Sequence, residues 1–354
     1  MPLGTRADFR GVWFADDAHG WIAGGGFDIP GGLLGRTDNG GSTWRFTSGL
    51  IGGAESPRRL SVAAVHFFDQ RRGLIATDSG AILLTSDAGD TWEAADVPQR
   101  TRAISSMSFL DEQRGWALAN DGVLRTDDSG RTWTGAGAVG LAGSEDPAST
   151  SISIVSGRAM QFVDAANGWV AGMHASLSRT TDGGVTWESL TLPLAAGERP
   201  SFWDVHFVDR EHGWVVGEEG VVLATENAGV TWTRRSTGLA DARSAPKLER
   251  IPTANGVQVI DAGDRTPGFT LSAVRFVDRE RGWAAGYYAN LGRSLILATT
   301  DGGATWTVEA DIAGEDLRAL FVQGREWIWA VGARTREGGQ NIYRRPLSAP
   351  VVRK

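Results

Sequence analysis

The residues able to do chemistry fall into three sets. Carboxylates come first: Asp78, Asp121, Asp204, Glu218 and Glu219 are candidates to flank a glycosidic bond. A glycoside hydrolase needs two of them, one as acid and one as base or nucleophile. Nothing in their spacing marks a pair. Histidines come second. His66, His174 and His206 are candidates for a shared metal, but the chain has no H-E-x-x-H or other close-spaced ligand set. No metal and no cofactor is therefore expected. The third set suits recognition. Arg158, Arg275 and Arg318 offer planar forks for a carboxylate. Trp203, Tyr287 and Tyr288 offer aromatic area of the kind that anchors interfaces.

Composition removes other classes. The 354 residues contain no cysteine, which excludes disulfides and thiolate sites. A net charge of −7 argues against nucleic acid, whose phosphates call for a basic surface. Lys247 and Lys354 are the only lysines, so the positive charge is almost all arginine. No run approaches the length of an apolar membrane span. Met1 to Arg10 lack the pattern of a secretory signal, and the compartment stays open.

Repetition shows which elements position these residues. An eight-residue box occurs six times: TDNGGSTW (37–44), TSDAGDTW (85–92), TDDSGRTW (126–133), TTDGGVTW (180–187), TENAGVTW (225–232) and TTDGGATW (299–306). Thr comes first and Gly fifth. Asp87, Asp128, Asp182 and Asp301 hold the third place, with Asn39 and Asn227 in the other two copies. Each box ends on a tryptophan: Trp44, Trp92, Trp133, Trp187, Trp232 and Trp306. A signature of the form F-x-D, polar residues, Gly-Trp and an apolar pair precedes each box, as in FVDREHGWVVG (207–217). Leu74 replaces the tryptophan once, and a seventh, degenerate copy at 317–332 has no box after it. A fixed period of this size implies a repeat architecture.

Within a unit, four short β-rich runs alternate with Gly-, Asp-, Ser- and Asn-rich turns, which reads as an antiparallel meander, one propeller blade. The expected fold is all-β: one seven-bladed propeller domain over residues 1–354, monomeric, with an atypical last blade. Ala349 to Arg353 or Pro2 to Asp8 are candidates for that blade's missing strand. The box falls on the turn between third and fourth strands. Its acid should accept backbone N–H groups, its glycine allows a conformation barred to a Cβ, and its tryptophan should pack into the blade.

The boxes resemble the Asp-box, or bacterial neuraminidase, repeat. The longer unit resembles, more narrowly, the photosystem II assembly and stability factor family of seven-bladed propellers, from Phe9 to about Arg345. That resemblance implies a non-catalytic binding or assembly role, often extracytoplasmic. The wider Asp-box group includes sialidases and glucan hydrolases, so a glycosidase is the alternative. Sialidases carry Arg-Ile-Pro before their first box, whereas Arg250-Ile251-Pro252 lies between boxes five and six here. Only Tyr287, Tyr288 and Tyr343 are present as sialidase-type nucleophiles.

Topology selects a face. First–second and third–fourth turns share one face of a propeller, and the remaining connections share the other. Long connections at 134–157 and 233–269 lie on the face opposite the boxes, where loops of that length suggest function. His174, Glu218, Tyr287 and Tyr288 stand in second–third turns on that face, and Arg158, Trp203, Asp204 and Arg318 at the entry to inner strands. His66, His206 and Arg275 precede the aligned phenylalanines and are expected to look into the central channel. A protein or glycan partner is expected there.

Overall fold

The computed structural model describes residues 7–26, 29–50, 61–137, 157–239, 249–253, 256–260, 268–288, 293–313, 315–324, 327–334 and 342–346. Seven antiparallel blades follow one another along the chain. Their inner strands are Asp8–Phe14, Val62–Phe67, Ile104–Phe109, Gly157–Phe162, Phe202–Phe207, Phe269–Phe276 and Glu315–Gln323. Each inner strand touches the next around the ring, and the seventh touches the first, so the ring is closed. Blades one to six have four strands. Among the described residues blade seven has three, the last being Ile342–Pro346, and it meets the first inner strand at Asp8 and Ala333. Of the candidate closing segments, Ala349 to Arg353 and the Pro2 to Arg6 part of Pro2 to Asp8 lie outside the described residues, while Asp8 opens the first inner strand and pairs with Ala333. A hairpin, Glu249–Thr253 with Gly256–Ile260, sits between blades five and six in the chain. It carries the Arg-Ile-Pro sequence.

Second strands such as Gly213–Gly217 are buried at every position, because a neighbouring blade covers each face. Outer strands such as Glu188–Ser189 are exposed. This gradient explains the continuous apolar run after each Gly-Trp.

Every box folds the same way. The first-place threonine hydroxyl donates to Oδ1 of the third residue, as Thr180 does to Asp182 at 2.7 Å. The Gly184 N–H donates back to the Thr180 hydroxyl at 2.9 Å, and the Thr186 N–H to Asp182 Oδ1 at 2.9 Å. The Thr186 hydroxyl then donates to Oδ2 at 2.5 Å. In the asparagine boxes the last bond reverses: Asn39 and Asn227 donate from Nδ2 to Thr43 and Thr231 at 2.9 and 2.8 Å. The fourth place is left-handed even where it is not glycine, with φ of 69° at Ala88, 66° at Ser129 and 60° at Ala228. Its N–H is tied to a carbonyl of the same blade's first–second turn, for example Ala88 to Arg71 at 2.8 Å. Boxes and first–second turns therefore share a face.

The box tryptophans pack less deeply than the sequence suggests. Trp133 and Trp232 are buried, while Trp44, Trp92, Trp187 and Trp306 are half-buried. In five blades the ring meets the inner-strand phenylalanine edge-on at 6.0–6.1 Å. The deeper rings belong to the Gly-Trp tryptophans, which join blades. Trp21, Trp116, Trp169 and Trp214 stack on Phe67, Phe162, Phe207 and Phe276 of the following blade at 3.5–3.8 Å. Each indole N–H donates to the fourth-place carbonyl of that blade's box: Ala88, Gly183, Ala228 and Gly302.

Exceptions occur where the sequence departs from pattern. Blade two has Leu74, and the ring stacked on Phe109 is instead that of His66, at 4.6 Å. Blade seven has no box, so Trp283 donates to Glu309 at 2.9 Å, and Arg345 pairs with Glu309. At closure Trp329 stacks on Phe14 at 4.6 Å but donates to Gln323 at 2.8 Å. Arg344 takes over the bond to the box, donating to the Gly40 carbonyl at 2.7 Å.

Candidate binding site at the channel mouth

All seven inner strands carry a bulge at the same register. The residues left without a partner on the second strand are Arg10, Ala63, Ser105, Arg158, Trp203, Ser272 and Arg318. A bulge adds one residue to one strand and re-aims its side chain. In five blades a glycine stands on the second strand beside the bulge, and in blades two and three Thr77 and Ala119 take its place. A Cβ on Gly217 would lie 2.3 Å from the Ser201 carbonyl, and one on Gly286 2.3 Å from that of Thr270. The bulges lie near the start of each inner strand, at the channel end opposite the boxes. Seven bulge residues thus ring one mouth.

Two arcs of this ring carry chemistry. Across blades four and five, the Arg158 guanidinium lies 3.7 Å over the Trp203 ring. Arg158 Nε and Trp203 Nε1 are both buried with no hydrogen-bond partner among the described residues. Burial works against the Arg158 charge, opposed by Glu218 nearby. Glu218 itself accepts the Ser201 N–H at 2.9 Å. Across blades seven and one, Arg318 and Arg10 flank Asp8 at 3.3 and 3.6 Å. Tyr287 of blade six interacts electrostatically with both Arg318 and Arg158. Elsewhere the ring is inert. The Ser105 and Ser272 hydroxyls donate to the next blade's Gly157 and Leu317 carbonyls at 3.1 and 2.6 Å.

The other sequence candidates are distributed differently. Asp204 is buried, and its Oδ2 accepts Arg275 at 2.5 Å and the Val274 N–H at 2.9 Å. Burial pushes the Asp204 carboxyl up, and Arg275 with the Val274 N–H pulls against it. Arg275 is thus committed to the neighbouring blade. His206 accepts the Phe276 N–H at Nδ1 (3.3 Å), while His66 packs between Trp13 and Phe109. Burial holds both imidazoles at about 3, with Arg275 adding to the effect on His206. Gln161, at the same register, makes both bonds to the backbone of Phe207. Of the polar residues expected at the channel, His206 and Gln161 stitch blades together through backbone groups, Arg275 through the Asp204 side chain and His66 by ring packing. His174 is exposed with a φ of 56°, and no cluster of metal-ligating side chains forms among the described residues. Tyr288 packs on Phe269 at 4.7 Å. His19 and His212, in first–second turns, bond Asp16 and Asp209.

Sequence reading missed Arg10. Its signal was available: Arg10 stands four places before Phe14, as Arg158 does before Phe162 and Trp203 before Phe207. In blade seven the register places Val322 where the other blades have phenylalanine, and Arg318 lies four places before it.

Residues 146–241 match the family model described as photosynthesis system II assembly factor YCF48. A xyloglucanase from Paenibacillus sp is 28% identical over 137 residues, covering 32% of this chain and 13% of the relative. Among solved structures, YCF48 bound to D1 peptide covers 99% of this chain and 94% of its own, at 16% identity and a TM-score of 0.65. YCF48 from Cyanidioschyzon merolae covers 97% and 96%, at 17% identity and 0.62. The GH74 enzyme of Niastella koreensis covers 96% of this chain and 52% of its own, at 13% identity and 0.62. Identities this low speak to fold, and the fold agrees with the repeats. The chain is an Asp-box propeller resembling the photosystem II assembly factor.

Proposed function

We propose that this chain is a non-catalytic binding propeller that takes up a segment of a protein partner at the mouth opposite its boxes. The observation that carries this reading is the stacked Arg158–Trp203 pair, whose two buried N–H donors lack a protein acceptor among the described residues. Buried donors call for partners. Arg318, Arg10 and Tyr287 extend the surface, and Tyr288, His174 and Glu218 border it. That a YCF48 structure of this fold is bound to a D1 peptide supports a peptide-like ligand. The propeller is taken to act as a monomer.

Likeness to the xyloglucanase and to a GH74 enzyme favours a second reading, a glycoside hydrolase. The mouth argues against it. Asp204 is buried and paired with Arg275, which leaves Glu218 without it as the second carboxylate of a catalytic pair.

Affinity capture from a lysate of the source cells tests the proposal with wild type, Arg158→Ala and the box-face variant Arg71→Ala. Partners lost only with Arg158→Ala support it. Partners retained by that variant and lost with Arg71→Ala refute it. Release of reducing sugar from a glycan panel, abolished by Glu218→Gln, establishes the enzyme instead.

A further inference from the structure

We infer that the mouth reads two carboxylates at once, carried at a set spacing on one extended acidic peptide segment. This rests on the binding role proposed above and specifies the ligand. Seven blades in cyclic contact place blade four opposite the joint between blades seven and one. The bulge ring therefore has two guanidinium poles facing each other across the channel: Arg158 on one side, Arg318 with Arg10 on the other. Between them the bulge positions hold Ala63, which has no polar group, and Ser105 and Ser272, whose hydroxyls are already bonded to carbonyls. Tyr287 lies within electrostatic reach of both poles.

Each pole has spare capacity. At one, the Arg158 guanidinium makes no hydrogen bond or ion pair among the described residues, and the Trp203 ring fixes its plane. At the other, Asp8 stands 3.3 and 3.6 Å from the two guanidiniums, too far for good hydrogen bonds. A ligand carboxylate making a two-pronged contact would outcompete so loose a pair. Charge also sets a limit. Asp8, Asp316 and Glu218 nearly balance the three arginines, and the whole chain is at −7. A long polyacidic tract gains little here. Two carboxylates that each reach a pole gain geometry as well as charge.

Peptides blocked at both ends, with two glutamates separated by zero to six glycines, provide the test. Single-glutamate and two-glutamine peptides serve as controls, and titration calorimetry gives the affinities. One spacing is expected to bind about tenfold tighter than the single-glutamate peptide, the worth of one further charge-assisted contact. Arg158→Ala and Arg318→Ala should each bring that peptide down to the single-glutamate level. Arg158→Lys, which keeps the charge and loses the fork, should do most of the same, while Arg71→Ala should do nothing. Thermal melts establish that each variant is folded. Affinity that follows charge alone, indifferent to spacing, overturns the inference and leaves the binding role standing if Arg158→Ala still loses the captured partner. No binding by any peptide, together with an Arg158→Ala variant that keeps every partner, overturns both.

Discussion

Asp128 shows what a single box residue does. Its carboxylate accepts the Thr126 hydroxyl, the Thr132 N–H and the Thr132 hydroxyl at 2.7–2.9 Å. Replacement by alanine leaves these donors to water, which should cost about 1–2 kcal/mol, as losing a helix cap does. Asp128→Asn should change stability by less than about 0.5 kcal/mol, because Asn39 and Asn227 already build the same turn with one bond reversed. Urea unfolding of the two variants checks both values. The tryptophans should separate likewise. Trp169 is fully buried and joins two blades, so Trp169→Ala should cost about 3–5 kcal/mol. Trp187 is half-buried, and Trp187→Ala should cost roughly half as much. Equal losses in calorimetric melts would contradict this ordering.

Blade interfaces are where acid should act. Box carboxyls titrate low: the Thr91 hydroxyl and N–H hold Asp87 at about 2. A carboxyl lowered on folding contributes stability above its unfolded value near 3.8, lost as pH falls toward 2. His206 acts earlier. Its ring is held at about 3 against 6.5, so the unfolded chain binds the extra proton between those values and stability drops as pH falls from about 6.5. His206→Gln should keep the interblade bond, since Gln161 accepts the Phe207 N–H at 2.6 Å from the same register. The melting temperature of His206→Gln should therefore fall less than that of wild type between pH 6.5 and 4. Parallel curves would show that the histidine is not the sensor.

The ring is closed by blade seven, which has neither a box nor the phenylalanine. Trp329 stacking on Phe14, Arg344 reaching Gly40 and Gln323 reaching the Asp16 carbonyl connect the chain's two ends across more than 300 residues. Arg344 also lies 3.6 Å over the Trp327 ring. Loosening this joint should open the molecule there first. Hydrogen exchange of Arg344→Ala is expected to speed up in blades one and seven and stay unchanged in blades three to five. Uniform acceleration would mean that the ring opens only as a whole. The face opposite the boxes keeps its Arg158 pole in such a variant and loses the alignment of the other.

Sequence alone determined the blades, because each is a local object. Turn residues, a box closing on its own eight residues, and an apolar second strand with neighbours on both faces all leave marks within fifty residues. The same locality made the candidate face legible and brought Arg158, Trp203, Glu218, Tyr287 and Arg318 into view. Tertiary structure decided which polar groups at that face are spare. Asp204 and Arg275 cancel across 71 residues of chain, and Asp8 draws together Arg10 and Arg318 from opposite ends of it. His206 and Gln161 bond to backbone groups of the next blade, and a backbone acceptor has no signature in a side-chain pattern. Pairing across a blade boundary depends on distance in space, and only closing the ring sets that distance.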